Sequence, residues 1–117
     1  MKKIELLSSG KAKSLYTTEN SDQLIMEYRD DTSAFDGKKI EKLAGKGTVN
    51  NRFNAHVMQQ IEKSGIPTHF IDEVSENESL VRKLEMVPIE CVVRNITAGS
   101  ICKRLGLEAV SYTHLTL

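Results

Sequence analysis

The sequence predicts an α+β fold, in which an antiparallel β-sheet packs against one long helix. Three strand-like segments come one after another before the helix, and further strand-like segments follow it. Strands that cluster in this way favour α+β over a doubly wound α/β fold, in which strands and helices alternate. The chain has 117 residues, of which 39% are apolar, and this is enough for one small domain with its own core.

The N-terminal part predicts three short strands, at residues 4–7, 14–17 and 23–29. Gly10 lies in the turn after the first strand, and the polar residues 19–22 indicate a turn after the second. Residues 30–39 are mostly polar and predict a loop. We therefore expect three neighbouring strands that lead through a loop into the helix.

The long helix is predicted from apolar residues that recur every four positions. We expect Thr48 to be its N-cap, Gly65 to end it and Pro67 to prevent its resumption. Gly47 is interpreted as a source of loop flexibility at the helix start, with phosphate binding as the alternative. The residues expected to form the buried face are Val49, Phe53, Val57 and Ile61.

Shorter elements are predicted after the helix: strands at 68–71, 79–84 and 89–94, an acidic turn at 72–78, and a helix at 100–105. Gly106 is expected to end that last helix. Cys91 lies in an apolar segment and is predicted to be a buried thiol, whereas Cys102 is predicted to lie on the helix. His56 and His69 have no partner at ligand spacing, so we expect both to be structural.

The charge balance and the cysteine usage exclude several classes of protein. Lys and Arg together number 16, as do Asp and Glu, so the overall charge favours neither nucleic acid nor a membrane surface. No apolar stretch approaches the roughly 18 residues of a membrane span, and the N-terminus lacks the apolar segment of a signal peptide. Two cysteines without a disulfide framework fit a reducing cytoplasm. We therefore predict a cytoplasmic protein that binds small molecules.

Two segments in the first third could carry chemistry. The sequence Gly10-Lys11-Ala12-Lys13 joins two predicted strands, and such a turn can lie over nucleotide phosphates with lysine as a point charge. The same four residues also fit a solvated basic turn. Residues 31–37 carry two carboxylates and two hydroxyls, which suit Mg²⁺ or a sugar, or else turns that satisfy their own backbone.

Two further segments follow the long helix. Residues 82–87 join two predicted strands, and Leu84 and Met86 could hold an adenine while backbone amides read its edge. An ordinary connection between strands is the alternative. Arg94 ends an apolar run and is followed by Gly99-Ser100 at a helix start, a pattern that can hold an anion. The alternative there is a core strand, a turn and a surface arginine.

Taken in order, these segments resemble the SAICAR synthetase family (phosphoribosylaminoimidazole-succinocarboxamide synthase) of purine biosynthesis. The most specific segment is Pro-Ile-Glu-Cys-Val-Val-Arg at 88–94 with Ala-Gly-Ser at 98–100. The others are the glycine turn at 10–13, Asp-Thr-Ser-Ala at 31–34 with Asp-Gly at 36–37, and Lys-Gly at 46–47 with Asn-Asn at 50–51. The resemblance extends from Lys11 to about Ala109.

The resemblance implies a kinase-like ATP-binding lobe and an ATP-dependent ligase. Such an enzyme joins L-aspartate to the carboxylate of carboxyaminoimidazole ribotide through an acyl phosphate, and releases ADP and phosphate. It implies ATP and Mg²⁺ as cofactors, because charged groups must offset the repulsion between anionic substrates. It also implies a homo-oligomeric parent enzyme whose partners are small molecules, with neither nucleic acid nor membrane among them.

Site residues carried over by this resemblance fall into two groups, and it assigns no catalytic residue and no metal ligand. The residues implied for ATP are Gly10, Lys11, Ala12, Lys13, Leu84, Glu85, Met86 and Val87. The residues implied for the ribotide are Asp36, Arg94, Gly99 and Ser100.

The family is longer than this chain, and the resemblance implies a second segment with an Asp-Phe-Lys-type strand that is missing here. We therefore expect residues 1–109 to be the N-terminal part of such an enzyme (the ATP lobe and the start of a second lobe), and the chain alone to be inactive. Residues 110–117 resemble the read-through of a sequencing adaptor, with a C-terminal strand as the alternative. A freestanding nucleotide-binding module and a kinase-like phosphotransferase are the alternatives, although the chain has neither a His-Arg-Asp nor an Asp-Phe-Gly motif.

Overall fold

The computed structural model describes residues 1–34, 39–106 and 108. The chain divides into two compact units, Met1–Glu85 and Met86–Leu117. The first unit contains an antiparallel sheet and one long helix, so the predicted α+β fold class is confirmed. Within the described ranges, no helix is long and apolar enough to cross a membrane.

The main sheet of the first unit has five antiparallel strands in the order β1-β2-β3-β7-β6. These strands are β1 (Leu6–Ser9), β2 (Lys13–Thr17), β3 (Gln23–Tyr28), β6 (Phe70–Ser75) and β7 (Glu78–Arg82). A separate pair is formed by β4 (Asp31–Ala34) and β5 (Lys39–Lys42). The three N-terminal strands and β7 lie within two residues of their predicted bounds.

Two segments predicted as loop or turn are strands in the structure. The polar segment 30–39 contains β4 and the start of β5, and Asp31 pairs with Lys42 across that two-stranded sheet. The acidic segment 72–78 continues β6 as far as Ser75, and only Glu76 and Asn77 form the turn. Because β6 is an edge strand, its acidic side chains reach solvent without weakening the sheet. The predicted site residue Asp36 lies outside the described residues.

The long helix, α1 (Lys46–Lys63), packs on β3, β6 and β7 with a different face from the predicted one. Its buried residues are Gly47, Asn51 and Ala55. The prediction is wrong for Val49 and Phe53, which are 67% and 69% exposed, and Val57 and Ile61 are only half-buried. The observed stripe also repeats every four residues, but it is offset by two positions, or about 200° around the helix.

The start of α1 is fixed by a carboxylate that is distant in sequence. Asp30, directly after β3, accepts hydrogen bonds from the backbone N–H groups of Gly47 (2.8 Å, Oδ1) and Gly45 (3.2 Å, Oδ2). Gly45 is the N-cap, with a φ of 82°, so the prediction of Thr48 is wrong. A Cβ built on Gly47 would lie 2.2 Å from the carbonyl oxygen of Tyr28. Gly47 therefore allows close approach of the helix to β3, and flexibility is not its role.

Asn51 joins the helix to the turn between β6 and β7, and its side chain is fully buried. Its Nδ2 lies 3.2 Å from the carbonyl oxygens of Ser75 and Glu76 and 3.4 Å from that of Glu78. Its Oδ1 accepts a hydrogen bond of 2.5 Å from the hydroxyl of Ser79, which is also fully buried. Both side chains are thus satisfied inside the core, as buried polar groups must be.

The second unit contains the helix α2 (Ser100–Leu105), which ends at Gly106 as predicted. Cys102 lies on α2 and is buried, as expected of a small apolar thiol. The prediction of a strand at 89–94 is wrong, since these residues belong to no strand. Cys91 is exposed and Val93 is 95% exposed, so the prediction of a buried thiol is also wrong. Residues 109–117, including the adaptor-like tail, lie outside the described residues.

Candidate nucleotide site

Arg29, which directly follows β3, donates to the turn between β1 and β2, and the turn is also closed by a hydrogen bond from the Gly10 N–H to the carbonyl oxygen of Lys13 (2.8 Å). The guanidinium Nη2 donates to the carbonyl oxygens of Gly10 (2.5 Å) and Lys11 (3.2 Å), and Nη1 donates to that of Lys13 (3.1 Å). The backbone N–H of Arg29 donates to the carbonyl oxygen of Ala12 (2.7 Å). All four carbonyl groups of the predicted phosphate turn therefore accept hydrogen bonds from Arg29.

Two backbone N–H groups of the same turn are unpaired, unlike its carbonyl groups. Among the described residues, none accepts a hydrogen bond from the backbone N–H of Lys11 or Ala12. Both belong to trans peptide groups whose carbonyl oxygens contact Arg29, and the two ends of a trans peptide point in opposite directions. Two adjacent N–H donors are therefore directed away from Arg29. Successive backbone N–H groups of this kind form an anion-binding concavity.

Gly10 leaves the space at this turn open. A Cβ built on Gly10 would meet nothing closer than the carbonyl oxygen of Lys13, at 3.9 Å, and Gly10 does not have a positive φ. Neither backbone strain nor a neighbouring atom of the described chain requires glycine at this position. This contrasts with Gly47, where the surrounding backbone excludes any side chain.

Lys13 lies on the face of the sheet that α1 covers where it packs on β3, β6 and β7. It pairs with Tyr28 in the sheet, and its Nζ lies 5.9 Å from the centroid of the Tyr28 ring. Burial lowers the pKa of His69, and the positive charge of Lys13 lowers it further. The ammonium group of Lys13 is exposed but is within electrostatic reach of this half-buried imidazole. Lys13 therefore places a positive charge near Tyr28 and His69, one residue along the chain from the two unpaired N–H groups.

The linker that was predicted to hold an adenine follows β7, at the other end of the sheet. The N–H of Lys83 donates to the carbonyl oxygen of Asp22, just before the first residue of β3, whereas Arg29 and the glycine turn lie at the last residue of that strand. At roughly 3.4 Å per residue, the two ends of β3 are about 17 Å apart. Leu84 is 57% exposed, and Met86 and Val87 are 80% and 69% exposed.

The second unit brings together the three substrate residues predicted there. Arg94 and Ser100 line an open cavity of about 320 Å³. The guanidinium Nη2 of Arg94 lies 3.4 Å from the position that a Cβ on Gly99 would occupy. Gly99 has a φ of 72° and a ψ of −141°, a conformation that glycine alone adopts without strain. The backbone bend therefore requires glycine at this position, whereas a Cβ there would make only an ordinary contact with Arg94.

Metal binding finds no support in the described part of the chain. No group of three or more His, Cys, Asp or Glu side chains there is arranged to hold a metal ion. Asp31, predicted as a candidate Mg²⁺ ligand, accepts a hydrogen bond of 2.7 Å from Nε of Arg29. Its carboxylate is thus engaged by a guanidinium, and the described residues do not fit a Mg²⁺ site made by protein ligands alone.

Comparison with known proteins gives the family. The family model described as SAICAR synthetase matches residues 6–115. The chain belongs to the SAICAR synthetase family. The phosphoribosylaminoimidazole-succinocarboxamide synthase of Alcanivorax borkumensis is 63% identical over 108 residues, which are 92% of this chain and 45% of that protein. The chain therefore spans about half the length of the curated relatives it matches.

Solved structures of the SAICAR synthetase family have the same fold. The phosphoribosylaminoimidazole-succinocarboxamide synthase of Ehrlichia chaffeensis matches with a TM-score of 0.82 and 36% identity, over 92% of this chain and 45% of that one. A SAICAR synthetase in complex with ADP matches with a TM-score of 0.80 and 43% identity, over 91% of this chain and 45% of that one. Nucleotide binding is thus a property of a structural relative of the SAICAR synthetase family.

One residue at the glycine turn of this SAICAR synthetase family member was not predicted from the sequence. Arg29 was assigned only to the end of a strand, yet it contacts every carbonyl group of the turn. The available signal was an arginine followed directly by two aspartates, Asp30 and Asp31, at a strand end. That pattern indicates a local ion pair, but it does not indicate which backbone groups the guanidinium contacts.

Proposed function

We propose that this chain supplies the ATP-binding part of a SAICAR synthetase. The complete enzyme would join L-aspartate to the carboxylate of carboxyaminoimidazole ribotide, with ATP converted to ADP and phosphate. One observation carries the proposal: the turn at 10–13 presents two unpaired N–H groups, has no side chain at Gly10 and continues directly into Lys13. Backbone N–H groups with an adjacent lysine are a common arrangement for binding phosphate.

The reaction needs phosphate transfer because a carboxylate oxygen is a poor leaving group. ATP supplies a phosphoryl group, which turns the ribotide carboxylate into an acyl phosphate that the aspartate amine can attack. The N–H groups of Lys11 and Ala12 would bind phosphate oxygens, and Lys13 would offset their negative charge. The exposed side chains of Leu84, with Met86 and Val87, would contact the adenine.

The ribotide would be bound by the second unit. The guanidinium of Arg94, which lies against Gly99, is suited to a phosphate or carboxylate because it presents a planar fork of donors. Ser100 lines the same cavity and can donate its hydroxyl. Asp36, outside the described residues, is proposed for the ribotide from the family resemblance alone. In a complete relative with an aligned arginine, Arg94→Ala should raise the KM for ribotide and leave ATP binding near normal, whereas equal losses for both substrates would contradict this assignment.

Nucleotide binding is testable on the 117-residue chain by thermal melting with MgADP. Binding to the folded state at a ligand concentration of 100 Kd stabilises it by about 2.7 kcal/mol. Lys13→Met should reduce the MgADP-induced shift, whereas Lys63→Met, which removes the same charge from the last turn of α1, should not. Absence of a shift in the wild-type chain, or equal shifts in the two variants, would contradict the proposal.

Gly10→Ala separates a ligand role from a structural one. Because a Cβ at Gly10 meets open space, the melting temperature without nucleotide should stay within error of the wild-type value. The Cβ would occupy the space proposed for phosphate, so the MgADP-induced shift should fall. Loss of stability without any change in the nucleotide response would contradict the proposal.

The whole reaction is proposed to need more protein than these 117 residues, since the matched relatives are about twice as long. We expect the chain to bind MgADP without forming product from ATP, aspartate and ribotide. Product formation at the rate of a complete relative would overturn this expectation. The alternative is a freestanding nucleotide-binding module. It would be favoured if the 117-residue chain bound MgADP and a longer form of the protein had no ligase activity.

A further inference from the structure

We propose that Arg29 is a positioning residue for nucleotide binding, which orients the two peptide groups whose N–H ends contact phosphate. The inference rests on the proposed function, because it takes the turn at 10–13 to be the phosphate turn. Arg29 would not touch the nucleotide itself. It would act through the carbonyl groups of the turn, from the opposite side.

The carbonyl groups that Arg29 contacts belong to the same peptide groups as the two free N–H donors. The carbonyl oxygen of Gly10 and the N–H of Lys11 belong to one peptide group, and the carbonyl oxygen of Lys11 and the N–H of Ala12 belong to the next. Nη2 of Arg29 contacts both of these carbonyl oxygens, at 2.5 and 3.2 Å. No described residue accepts from the two N–H groups. Arg29 therefore fixes the direction of the two donors that remain available to a ligand.

The contact with the turn needs a guanidinium. Arg29 donates from Nη2 to two carbonyl groups and from Nη1 to the carbonyl oxygen of Lys13, at 3.1 Å. These donors lie in one rigid plane, so they fix several acceptors at once. A lysine ammonium is a single point with no planar fork, and it cannot reproduce this set of bonds. The prediction is therefore specific to arginine and does not follow from positive charge alone.

Arg29 is itself held in place. Its Nε donates to Oδ2 of Asp31 at 2.7 Å, and Nη1 donates to the hydroxyl of Ser9 at 2.8 Å and also to that of Ser14. Ser14 is buried, so this side of the guanidinium faces the protein interior. Asp31 also offsets the charge of Arg29, while Lys11 and Lys13 are both exposed cations of the turn.

Loss of Arg29 should weaken phosphate binding by releasing the turn. Without it, the two peptide groups can rotate, and a nucleotide must then order them when it binds. The two peptide groups are joined through Lys11, and ordering the backbone of this one residue corresponds to about a tenfold change in Kd. Affinity for adenosine, which lacks phosphate, should not change, because the linker after β7 is at the far end of β3.

The experiment compares Kd values for MgADP and adenosine, measured by calorimetric titration of the full 117-residue chain. Arg29→Met should raise the Kd for MgADP about tenfold and leave the Kd for adenosine within about twofold. Arg29→Lys should show most of the same loss, because it keeps the charge but not the fork. Arg52→Met, which removes an exposed arginine from α1, is the matched control and should leave both values unchanged.

The outcomes distinguish this inference from the proposed function. If wild-type affinity for MgADP depends on Lys13 but Arg29→Lys binds MgADP as tightly as wild type, the positioning role is wrong and the phosphate turn stands. If Lys13→Met has no effect either, the proposed function fails. If Arg29→Met does not fold, the Kd of Arg29→Lys for MgADP is used to test the positioning role. In that variant the amide resonances of Lys11 and Ala12 in ¹⁵N spectra should shift or broaden, and unchanged resonances would overturn the inference.

Discussion

Gly47→Ala tests the close contact between α1 and β3. The new Cβ would lie 2.2 Å from the carbonyl oxygen of Tyr28, 2.9 Å from its carbonyl carbon and 3.1 Å from Oδ1 of Asp30. The two nearest atoms are backbone atoms, so no side-chain rotation can relieve the overlap. The start of α1 must move away from β3, which also lengthens the 2.8 Å bond between the Gly47 N–H and Asp30.

The expected cost combines two effects. Overpacking of this kind costs about 1–3 kcal/mol, and loss of a helix cap costs about 0.5–2 kcal/mol. We expect Gly47→Ala to lower the free energy of unfolding by about 2–4 kcal/mol, measured by urea denaturation with an unchanged m-value.

The matched control is Gly45→Ala. Gly45 has a φ of 82° but no atom within 4 Å of a Cβ, so it tests backbone strain without overlap. Strain at such a position costs about 1–2 kcal/mol. If Gly47→Ala destabilises the chain less than Gly45→Ala does, the close-approach explanation is refuted, and Gly47 would have the flexible role first inferred from sequence.

Three further predictions concern the first unit. Asn51→Ala should lower the free energy of unfolding by about 2–4 kcal/mol and Ser79→Ala by about 1–2 kcal/mol, measured by urea denaturation. Each single change leaves the other side chain without its partner, so the double variant should lose less than the sum of the two. The pKa of His69 is lowered on folding, so the stability that its neutral form contributes is complete above the ordinary pKa of 6.5 and is lost as pH falls below it. The melting temperature of His69→Gln should therefore change less than that of wild type between pH 7.5 and 5.5. Burial lowers the pKa of Lys3, but hydrogen bonds to Glu27 and Glu78 outweigh this effect and raise the pKa above 10.5. The stability contributed by the Lys3 ion pairs is therefore present below pH 10.5 and is lost as pH rises through the raised pKa. Lys3→Met should lower the free energy of unfolding by about 0.5–1 kcal/mol at neutral pH in low salt. A difference between the variant and wild type that does not shrink as pH rises above 10.5 would contradict this account.

The sheet was largely predictable because its strands are short apolar runs between turn residues. The boundaries of β1, β2, β3 and β7 follow from turns that polar residues and glycine mark in the sequence. The end of β6 was missed because Asp72 and Glu73 favour a turn by residue type. β6 is an edge strand, and strand pairing with β7 on one side is enough to extend it through exposed acidic residues.

The buried face of α1 could not be chosen from apolar periodicity. Two stripes with a spacing of four run along this helix, one with Val49 and Phe53 and the other with Gly47, Asn51 and Ala55. The sheet selects the second stripe because α1 lies so close to β3 that only small side chains fit at its start. The polar side chain of Asn51 can be buried there because backbone carbonyl groups distant in sequence accept hydrogen bonds from its amide. Neither condition is visible until the chain is folded.

The predicted strand at 89–94 shows a different limit. An apolar run with β-branched residues indicates that a strand would be favourable, but a strand also needs a neighbour to pair with. Ile89, Val92 and Val93 are exposed in the structure, and Arg94 lies near Gly99 although it does not end a strand. The association of Arg94, Gly99 and Ser100 was therefore predictable from their order, although the element expected to carry it was not.

The glycine turn and helix α1 are connected by three consecutive residues after β3. Arg29 holds the turn through its carbonyl groups, Asp30 holds the first turn of α1 through two N–H groups, and Asp31 accepts a hydrogen bond from Arg29 and begins β4. A shift in this segment would disturb the turn and the helix together. The same physical demand explains Gly47, since α1 must approach the end of β3 closely for Asp30 to reach its N–H groups. The proposed phosphate turn is thus anchored to the folded core through the residues that fix the helix.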